Sequence, residues 1–176
     1  MMAGIDESRT FAPIGLAVLT VSDTRTEADD TSGNILIDRI TAAGHEVVAR
    51  AIVPDEKIAI VDQVKAWGED PAIAAIITTG GTGLTGRDVT VEALKPLFDK
   101  EIDGFSVIFH MVSYESVGLS TLQSRACAGV MEETFVFCLP GSNGAVKDGW
   151  DKVIAAQLDS RHRPCNLIEI IPRLTE

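Results

Sequence analysis

Aromatic residues and long apolar runs are both scarce in this sequence. Phenylalanine, tyrosine and tryptophan make up 5% of the 176 residues, whereas hydrophobic residues as a whole make up 45%. A core of this composition is mostly aliphatic, which is typical of a parallel sheet buried on both faces. No stretch approaches the roughly 20 apolar residues that a transmembrane helix needs, and the polar, acidic start of the chain lacks the apolar segment of a signal peptide. We therefore expect a cytoplasmic protein that does not bind membranes.

Positive charge is also scarce. The chain has 15 lysine and arginine residues against 26 aspartate and glutamate residues, which gives a formal net charge of −11. Such a charge repels nucleic acid and anionic lipid surfaces, so neither is expected as a partner. A phosphate-bearing small molecule would have to be bound by local N–H groups, a few arginines and a metal ion.

Cysteine is rare, and the three cysteines, Cys127, Cys138 and Cys165, follow no metal-ligand spacing. An odd number of scattered thiols is typical of a reducing compartment rather than of a disulfide-stabilised protein. Cys138 lies inside an apolar run, and we predict that it belongs to the core.

Segments with strand and helix character alternate along the chain. Strands are predicted at residues 14–21, 45–53, 73–77 and 134–139, with a further extended piece at 167–171, and helices at 33–43, 55–67, 91–97, 104–117 and 145–158. Because such alternation produces a mostly parallel sheet with helices on both faces, we predict one α/β domain over residues 13–176. Residues 1–12 are predicted to be a loose tail. The polar run 26–32 is interpreted as a mobile loop that ends in a Thr31 or Ser32 helix cap.

The third predicted strand runs into a glycine- and threonine-rich turn at residues 78–88. Glycines directly after a strand let backbone N–H groups approach a ligand, and a helix start just beyond adds further free N–H groups. Asp88 offers a carboxylate that could hold a phosphate-bound Mg²⁺. The simpler alternative, a tight turn with Asp88 or Thr90 as helix cap, accounts for only one or two of these residues. The predicted ligand contacts in this block are Thr78, Thr79, Gly80, Gly81, Thr82, Gly83, Arg87 and Thr90.

Residues 81–86 also satisfy the dinucleotide-binding pattern G-x-G-x-x-G. That pattern belongs in the first strand–helix turn, with an acidic residue closing the next strand. Here it follows the third strand, and Asp103 lies in a polar segment. A nicotinamide-dependent oxidoreductase is therefore a weak alternative, and a P-loop is excluded because no Gly-Lys-Ser/Thr follows.

A second turn of the same kind, residues 140–144, follows the strand at 134–139. Ser142 or Asn143 would cap the next helix, which leaves free N–H groups at the same edge of the sheet. Since the carboxyl ends of parallel strands share one edge, the two turns are predicted to form one cleft.

Several polar residues outside these turns can be interpreted as ligand contacts or as structural residues. Ser22 and Asp23, at the end of the first strand, either contact a ligand or cap a turn. Asp55 is well placed as a helix cap. Arg125, among small residues, either presents its guanidinium to an anion or pairs with a carboxylate. His110 has no partner in the sequence and is predicted to be structural or exposed.

Three blocks, TTGGTGLTGRDVTVEAL, STLQSRACAG and LPGSNGAVKDGWDKVIAAQLD, resemble the MoaB/MogA family of molybdenum cofactor biosynthesis proteins. The resemblance covers about residues 12–170, and QLDSRHRPCN, TSGN and AWGED look more like the MoaB branch. It implies a three-layer α/β/α sandwich, the molybdopterin-binding fold, assembled as a trimer or hexamer. It also implies an adenylyltransferase that converts ATP and molybdopterin, with Mg²⁺, into adenylyl-molybdopterin and pyrophosphate. Other cofactor-biosynthesis proteins are implied as further partners.

The family's functional residues can be carried over to matching positions. The TTGGTG loop would bind the pterin phosphate and the nucleotide, and Asp55 and Asp88 match two aspartates needed for catalysis, which would share Mg²⁺. The pterin side of the cleft would be lined by Ser120, Ser124, Pro140, Gly141 and Ser142. Val91 stands where many members have proline. Some MoaB-branch members lack the acidic residues and look catalytically silent, so a non-catalytic molybdopterin carrier is the alternative function.

Overall fold

The structure is a computed structural model that describes residues 4–176, and it contains eight strands in that range. They are β1 (Gly4–Ile5), β2 (Gly15–Val21), β3 (Glu46–Val53), β4 (Ala75–Thr79), β5 (Lys100–Glu101), β6 (Cys127–Met131), β7 (Thr134–Leu139) and β8 (His162–Arg163). Six of them form one sheet in the order β3-β2-β4-β7-β6-β5. The pairs β2–β3, β2–β4 and β4–β7 are parallel, and β6 pairs antiparallel with β5 and β7. The predicted mostly parallel sheet is confirmed.

Helices cover both faces of this sheet. They are α1 (Thr31–Ala42), α2 (Lys57–Gly68), α3 (Thr90–Leu94), α4 (Asp103–Val117), α5 (Asn143–Gly149) and α6 (Ala155–Gln157), with a π turn at Trp150–Ile154 and 3₁₀ helices at Lys95–Leu97, Gly118–Gln123 and Ile168–Arg173. Among residues 4–176, no helix combines the length and the hydropathy needed to cross a bilayer.

The core consists of two apolar layers, one on each face of the sheet. Along β2, Leu16 and Val18 pack with α1, α4 and α5, whereas Ala17 and Leu19 pack with α2 and α3. This division follows from the twofold alternation of side chains along a strand. Burying a large aliphatic side chain contributes roughly 1.5–3 kcal/mol, so both layers stabilise the sheet that positions the loops. The three-layer sandwich is thereby confirmed.

The predicted loose tail is wrong for residues 4–12. Strand β1 pairs antiparallel with β8, and the backbone N–H of Ala12 donates to Ser160 Oγ at 2.8 Å. The Phe11 ring also lies 5.0 Å from the His45 ring. Two parts of the chain that are far apart in sequence thus hold this segment on the domain; the first three residues of the predicted tail lie outside the described range.

Three other local predictions are corrected. The segment before residue 134 contains strand β6, which was not predicted because its small residues carry little strand pattern. Residues 167–171 are not extended, because Leu167 is the N-cap residue of a 3₁₀ helix at Ile168–Arg173. Helix α1 is capped by Asp30, whose side chain accepts from the Gly33 N–H at 2.9 Å, rather than by Thr31 or Ser32.

Candidate functional site

The carboxyl ends of β4 and β7 bring the two glycine turns together. The Gly80 N–H donates to the Leu139 carbonyl at 3.0 Å. A Cβ on Gly141 would lie only 3.3 Å from the Gly80 Cα, so the backbones of the two turns are in contact. The geometry therefore agrees with the prediction of a single site at this edge of the sheet.

Two glycines give the first turn its shape. Gly80 has φ +103° and Gly81 has φ +66°, values that residues with a Cβ rarely adopt. A Cβ on Gly80 would also lie 2.3 Å from the Val21 carbonyl oxygen. Thr90 then fixes the turn, because its hydroxyl donates to the Gly80 carbonyl at 2.9 Å and its N–H donates to the Gly81 carbonyl at 3.0 Å. Thr90 thus holds the loop, and its buried side chain is not exposed to a ligand.

A cleft of about 450 Å³ opens between this turn, the second glycine turn and the end of α4. Eight of the predicted contact residues line it: Thr82, Gly83, Asp88, Ser120, Ser124, Pro140, Gly141 and Ser142. Four further polar residues line it that the sequence did not predict: Ser113, Thr121, Gln123 and Asp148. Helical spacing from Gly144 and Ala145, four and three residues earlier, could have placed Asp148 on the cleft face of α5; Ser113 carried no such signal.

Ser142 confirms one of the two predicted caps. Its hydroxyl accepts from the Ala145 N–H at 3.2 Å at the start of α5. Thr78 and Thr79 are different, because both side chains are fully buried within β4, where the Thr79 hydroxyl donates to the Pro140 carbonyl at 3.2 Å. The prediction that these two hydroxyls contact a ligand is therefore wrong: they belong to the sheet.

Asp88 is half-buried in the cleft and does not cap α3, whose N-cap residue is Val89. Its Oδ2 accepts from the Thr85 N–H at 2.8 Å and from the Thr85 hydroxyl at 2.6 Å. Burial opposes ionisation, but these bonds, the Gly83 N–H and the charge of Arg125 outweigh it and lower the pKa of Asp88. Asp88 therefore presents a stable negative charge to the cleft.

Asp55 is not a helix cap either, because α2 starts after Glu56 without a side-chain cap bond. Its Oδ2 accepts from the Asp23 N–H at 3.0 Å. Its Oδ1 faces the glycine turn, 3.3 Å from where a Cβ on Gly81 would lie. Burial is the main cause that raises the pKa of Asp55, and the negative charges of Asp23 and Asp88 add to it.

Asp23 and Ser22 have distinct roles at the end of β2. The Ser22 hydroxyl accepts from the N–H groups of Thr24 and Arg25, both at 3.2 Å, so it caps a turn. Asp23 binds the Arg87 guanidinium through both carboxylate oxygens, with Nε–Oδ2 at 3.0 Å and Nη2–Oδ1 at 2.7 Å. Arg87 is thus paired with a carboxylate, although it is exposed.

Arg125 pairs with a carboxylate, which is one of its two predicted interpretations. Its Nη1 and Nη2 bind Glu92, while Nε donates to the Gly83 carbonyl at 2.8 Å and Nη2 to the Asp88 carbonyl at 3.0 Å. These bonds hold residues 83–88 of the glycine loop against the segment that precedes β6. His110 is structural as predicted, since its ring nitrogens contact the carbonyl oxygens of Ser106 and Ser124.

No group of three or more histidine, cysteine or acidic side chains within residues 4–176 forms a ready-made metal site. Mg²⁺ in nucleotide-dependent enzymes is typically bound by one or two carboxylates together with substrate phosphates and water. Asp55 and Asp88 fit that kind of site, because they lie next to Gly81 and Gly83 of one loop. In the described part of the chain no hydrogen-bond donor reaches Asp55 Oδ1, which leaves it available as a ligand.

Comparison with known proteins identifies the family of this chain. The family described as "Probable molybdopterin binding domain" matches residues 17–160. "Molybdenum cofactor biosynthesis protein B" of Escherichia coli (strain K12) is 51% identical over 159 residues, which span 90% of this chain and 94% of that protein.

Solved structures show the same relationship. A crystal structure of a molybdenum cofactor biosynthesis protein B superposes with a TM-score of 0.85 at 39% identity, covering 94% of this chain and 98% of that one. The tungsten cofactor synthesizing protein MoaB from Pyrococcus furiosus superposes with a TM-score of 0.74 at 36% identity, covering 93% and 98%. The chain therefore belongs to the molybdopterin-binding domain family, and within it to the MoaB-type molybdenum cofactor biosynthesis proteins.

Proposed function

We propose that this protein is a molybdopterin adenylyltransferase, which transfers the adenylyl group of ATP to the terminal phosphate of molybdopterin and releases pyrophosphate. The observation that carries the proposal is the pair of aspartates that face one glycine loop: Asp88, within that loop, is held ionised in the cleft, and Asp55, from the loop after β3, turns a free oxygen towards Gly81. A protein that only bound the pterin would not need two carboxylates beside a phosphate-binding turn, since they repel an anionic ligand unless a cation is shared.

The reaction needs little covalent help from the protein. A phosphate oxygen of molybdopterin attacks the α-phosphorus of ATP in line with the leaving pyrophosphate, so the main requirements are placement and charge stabilisation. The glycine loop lets its backbone approach the phosphates, and Thr90 and Arg125 keep that backbone in place. Asp55 and Asp88 would hold Mg²⁺, which offsets the charge of the phosphates when it is bound.

The hydroxyl-rich side of the cleft would receive the pterin. Ser120, Ser124 and Ser142 line it together with Ser113 and Thr121. Hydroxyl groups can donate and accept hydrogen bonds, which suits the mixed donors and acceptors of a pterin ring. Nucleotide and pterin would thus meet at Gly83 and Asp88, where the glycine loop adjoins the hydroxyl-rich side of the cleft.

Turnover that requires ATP, molybdopterin and Mg²⁺ together tests this proposal. Release of pyrophosphate that depends on all three is the expected result. Tight pterin binding without turnover would instead identify a non-catalytic carrier. NAD(H) should not bind, and calorimetry can show this directly.

The pH dependence of kcat/KM should report the protonation of Asp55. Its folded-state pKa is raised above the ordinary value of 3.8, so Asp55 takes up a proton at a pH where a free aspartate is still ionised. The pKa of Asp88 is lowered, so Asp88 stays ionised over the same range. We expect kcat/KM to fall on the acid side with an apparent pKa above 3.8. An acid limb at or below that value would contradict the assignment of Asp55.

We also propose that the protein works as a homo-oligomer, a trimer or a hexamer. A stripe of exposed apolar residues runs along α4 and the 3₁₀ helix that follows: Val107, Ile108, Met111, Tyr114, Val117, Leu119 and Leu122. Contiguous apolar surface of this kind on a soluble domain usually marks an interface. Because Val117 also lines the cleft, a second copy on this stripe would lie beside the pterin side of the site.

The substitution Met111→Glu should break this assembly. Met111 is 62% exposed in the single chain, so a glutamate is tolerated by the monomer, but its charge would be buried without a partner in the interface. We expect the dissociation constant to rise at least about 10-fold, or roughly 1.4 kcal/mol. Light scattering coupled to size exclusion should show a shift towards the 18.8 kDa monomer.

Ile58→Glu is the matched control for this experiment. Ile58 is an apolar residue that is 76% exposed on α2, away from the stripe. Its replacement should leave the mass of the assembly unchanged. A wild-type protein that is monomeric at all concentrations, or equal effects of the two substitutions, would contradict the proposed interface.

A further inference from the structure

We propose that Asp23 is a positioning residue that sets the geometry of both Asp55 and Asp88, rather than a group that contacts the substrate. Asp23 lies at the end of β2, and its side chain and backbone bind residues from the loops after β3 and β4. The inference rests on the proposed function, because it assigns Asp23 a role towards the Mg²⁺-nucleotide. Measurement of Mn²⁺ binding distinguishes failure of this inference from failure of the proposed function.

The first link joins the loops after β2 and β3. The Asp23 N–H donates to Asp55 Oδ2 at 3.0 Å, and the Asp55 N–H donates to Asp23 Oδ1 at 3.1 Å. This reciprocal pair fixes the rotation of the Asp55 carboxylate, since one oxygen is held by a backbone group. The other oxygen, Oδ1, is thereby directed at Gly81, where the phosphates are proposed to bind.

The second link joins the same carboxylate to the loop after β4. Arg87 binds both oxygens of Asp23, with contacts of 2.6 to 3.0 Å. A two-point contact between a guanidinium and a carboxylate fixes orientation as well as distance. Since Arg87 immediately precedes Asp88 in the chain, Asp23 also restrains the backbone that carries the second aspartate.

The bonding state of Asp23 argues against direct ligand contact. Its Oδ1 accepts from both the Asp55 N–H and Arg87, and its Oδ2 accepts from Arg87 twice. Both oxygens of Asp23 are therefore engaged, whereas Asp55 has one engaged oxygen, Oδ2, and one free oxygen, Oδ1. The Asp23–Arg87 pair is exposed, and exposed ion pairs contribute little to stability because water screens them. Its removal should therefore change the geometry of the site without unfolding the protein.

Two substitutions separate the links. Asp23→Ala removes the acceptor for the Asp55 N–H and the partner of Arg87 at once. Asp23→Asn keeps a carbonyl oxygen that can accept from Asp55, but its NH₂ group places donors against the donors of Arg87. If the two links act together, the loss of metal binding and of turnover should be larger for Asp23→Ala than for Asp23→Asn.

Asp151→Ala is the matched control. Asp151 forms the same kind of two-point pair with Arg39, with Nε–Oδ1 at 2.7 Å and Nη2–Oδ2 at 3.0 Å. This pair joins α1 to the π turn and contains none of the residues that line the cleft. The control therefore removes a similar ion pair without touching the proposed site.

The test measures Mn²⁺ binding by electron paramagnetic resonance, with Mn²⁺ in place of Mg²⁺ and a non-hydrolysable ATP analogue. Turnover and thermal stability are recorded on the same proteins. We expect Asp23→Ala to weaken Mn²⁺ binding about 10-fold, the size typical of losing a group that orients a metal ligand, and to lower kcat, with unchanged affinity for molybdopterin. Asp151→Ala should keep the wild-type Mn²⁺ affinity and kcat. These readouts respond to the orientation of Asp55 and Asp88, whereas a purely structural role changes only the unfolding temperature.

Three results would overturn the inference. They are wild-type Mn²⁺ affinity in Asp23→Ala, an equal loss in Asp151→Ala, or weaker binding of the ATP analogue in the absence of metal, which would mark Asp23 as a ligand contact. If the wild type binds Mn²⁺ and nucleotide but forms no adenylyl-pterin, the proposed activity fails while the comparison of Asp23 variants still stands. No Mn²⁺-nucleotide binding by the wild type would overturn both.

Discussion

Replacing Asp88 by asparagine is expected to reduce adenylyl transfer by on the order of 10²-fold or more, the size typical of losing a group that stabilises charge in the transition state. Asparagine has nearly the shape of aspartate, and its carbonyl oxygen can still accept from the Thr85 N–H, as Asp88 Oδ2 does at 2.8 Å. The loop should therefore keep its conformation. What is lost is the negative charge that the neighbouring donors hold ionised in the cleft.

Asp70→Asn is the control for this substitution. Asp70 also accepts a nearby backbone N–H, from Ala72 at 2.9 Å, but it lies in the turn before β4, at the opposite edge of the sheet. Pyrophosphate release should be lost in Asp88→Asn and retained in Asp70→Asn, with similar unfolding temperatures for both. Full activity of Asp88→Asn would remove Asp88 from the mechanism.

Gly83→Ala should have nearly as large an effect without changing any charged group. A Cβ at this position would lie 2.8 Å from Asp88 Oδ2, closer than non-bonded carbon and oxygen atoms can approach. Gly83 is not among the glycines with positive φ, so its backbone accepts alanine, and the Asp88 side chain has to move instead. A displacement of about 1 Å can reduce turnover on the order of 10²-fold.

Gly86→Ala, in the same loop, provides the comparison. A Cβ on Gly86 meets no atom within 4 Å, and its φ is likewise not positive. We expect turnover to fall in Gly83→Ala and to stay near the wild-type value in Gly86→Ala, while circular dichroism shows the same fold for both. Equal activities would mean that the position of the Asp88 carboxylate does not limit the reaction.

Local sequence patterns predicted the elements that local interactions determine. The strand at 134–139 has the predicted bounds. The helix predicted at 33–43 is followed by Gly44, whose φ of +88° is one that glycine readily adopts after a helix end. The two glycine turns also meet as predicted, because the carboxyl ends of parallel strands share one edge of a sheet. These features depend on side-chain periodicity and on backbone freedom, both of which are visible in the sequence.

Long-range polar contacts were not predictable in the same way. Asp55 has the sequence context of a helix cap, yet its partner is Asp23, 32 residues earlier. Arg125 pairs with the carboxylate of Glu92, 33 residues earlier in the chain. Asp30, interpreted as part of a mobile loop, is fully buried and binds Thr20 and Arg50. Each pairing depends on how strands are ordered in the sheet, which periodicity along the chain does not contain.

The most direct test of the central claim is to incubate the purified wild-type protein with molybdopterin, ATP and Mg²⁺ and to detect adenylyl-molybdopterin by mass spectrometry. We predict that adenylyl-molybdopterin and pyrophosphate form in equal amounts and only when all three components are present. Molybdopterin that binds to the protein but is recovered without an adenylyl group would contradict the proposed activity and identify a pterin carrier.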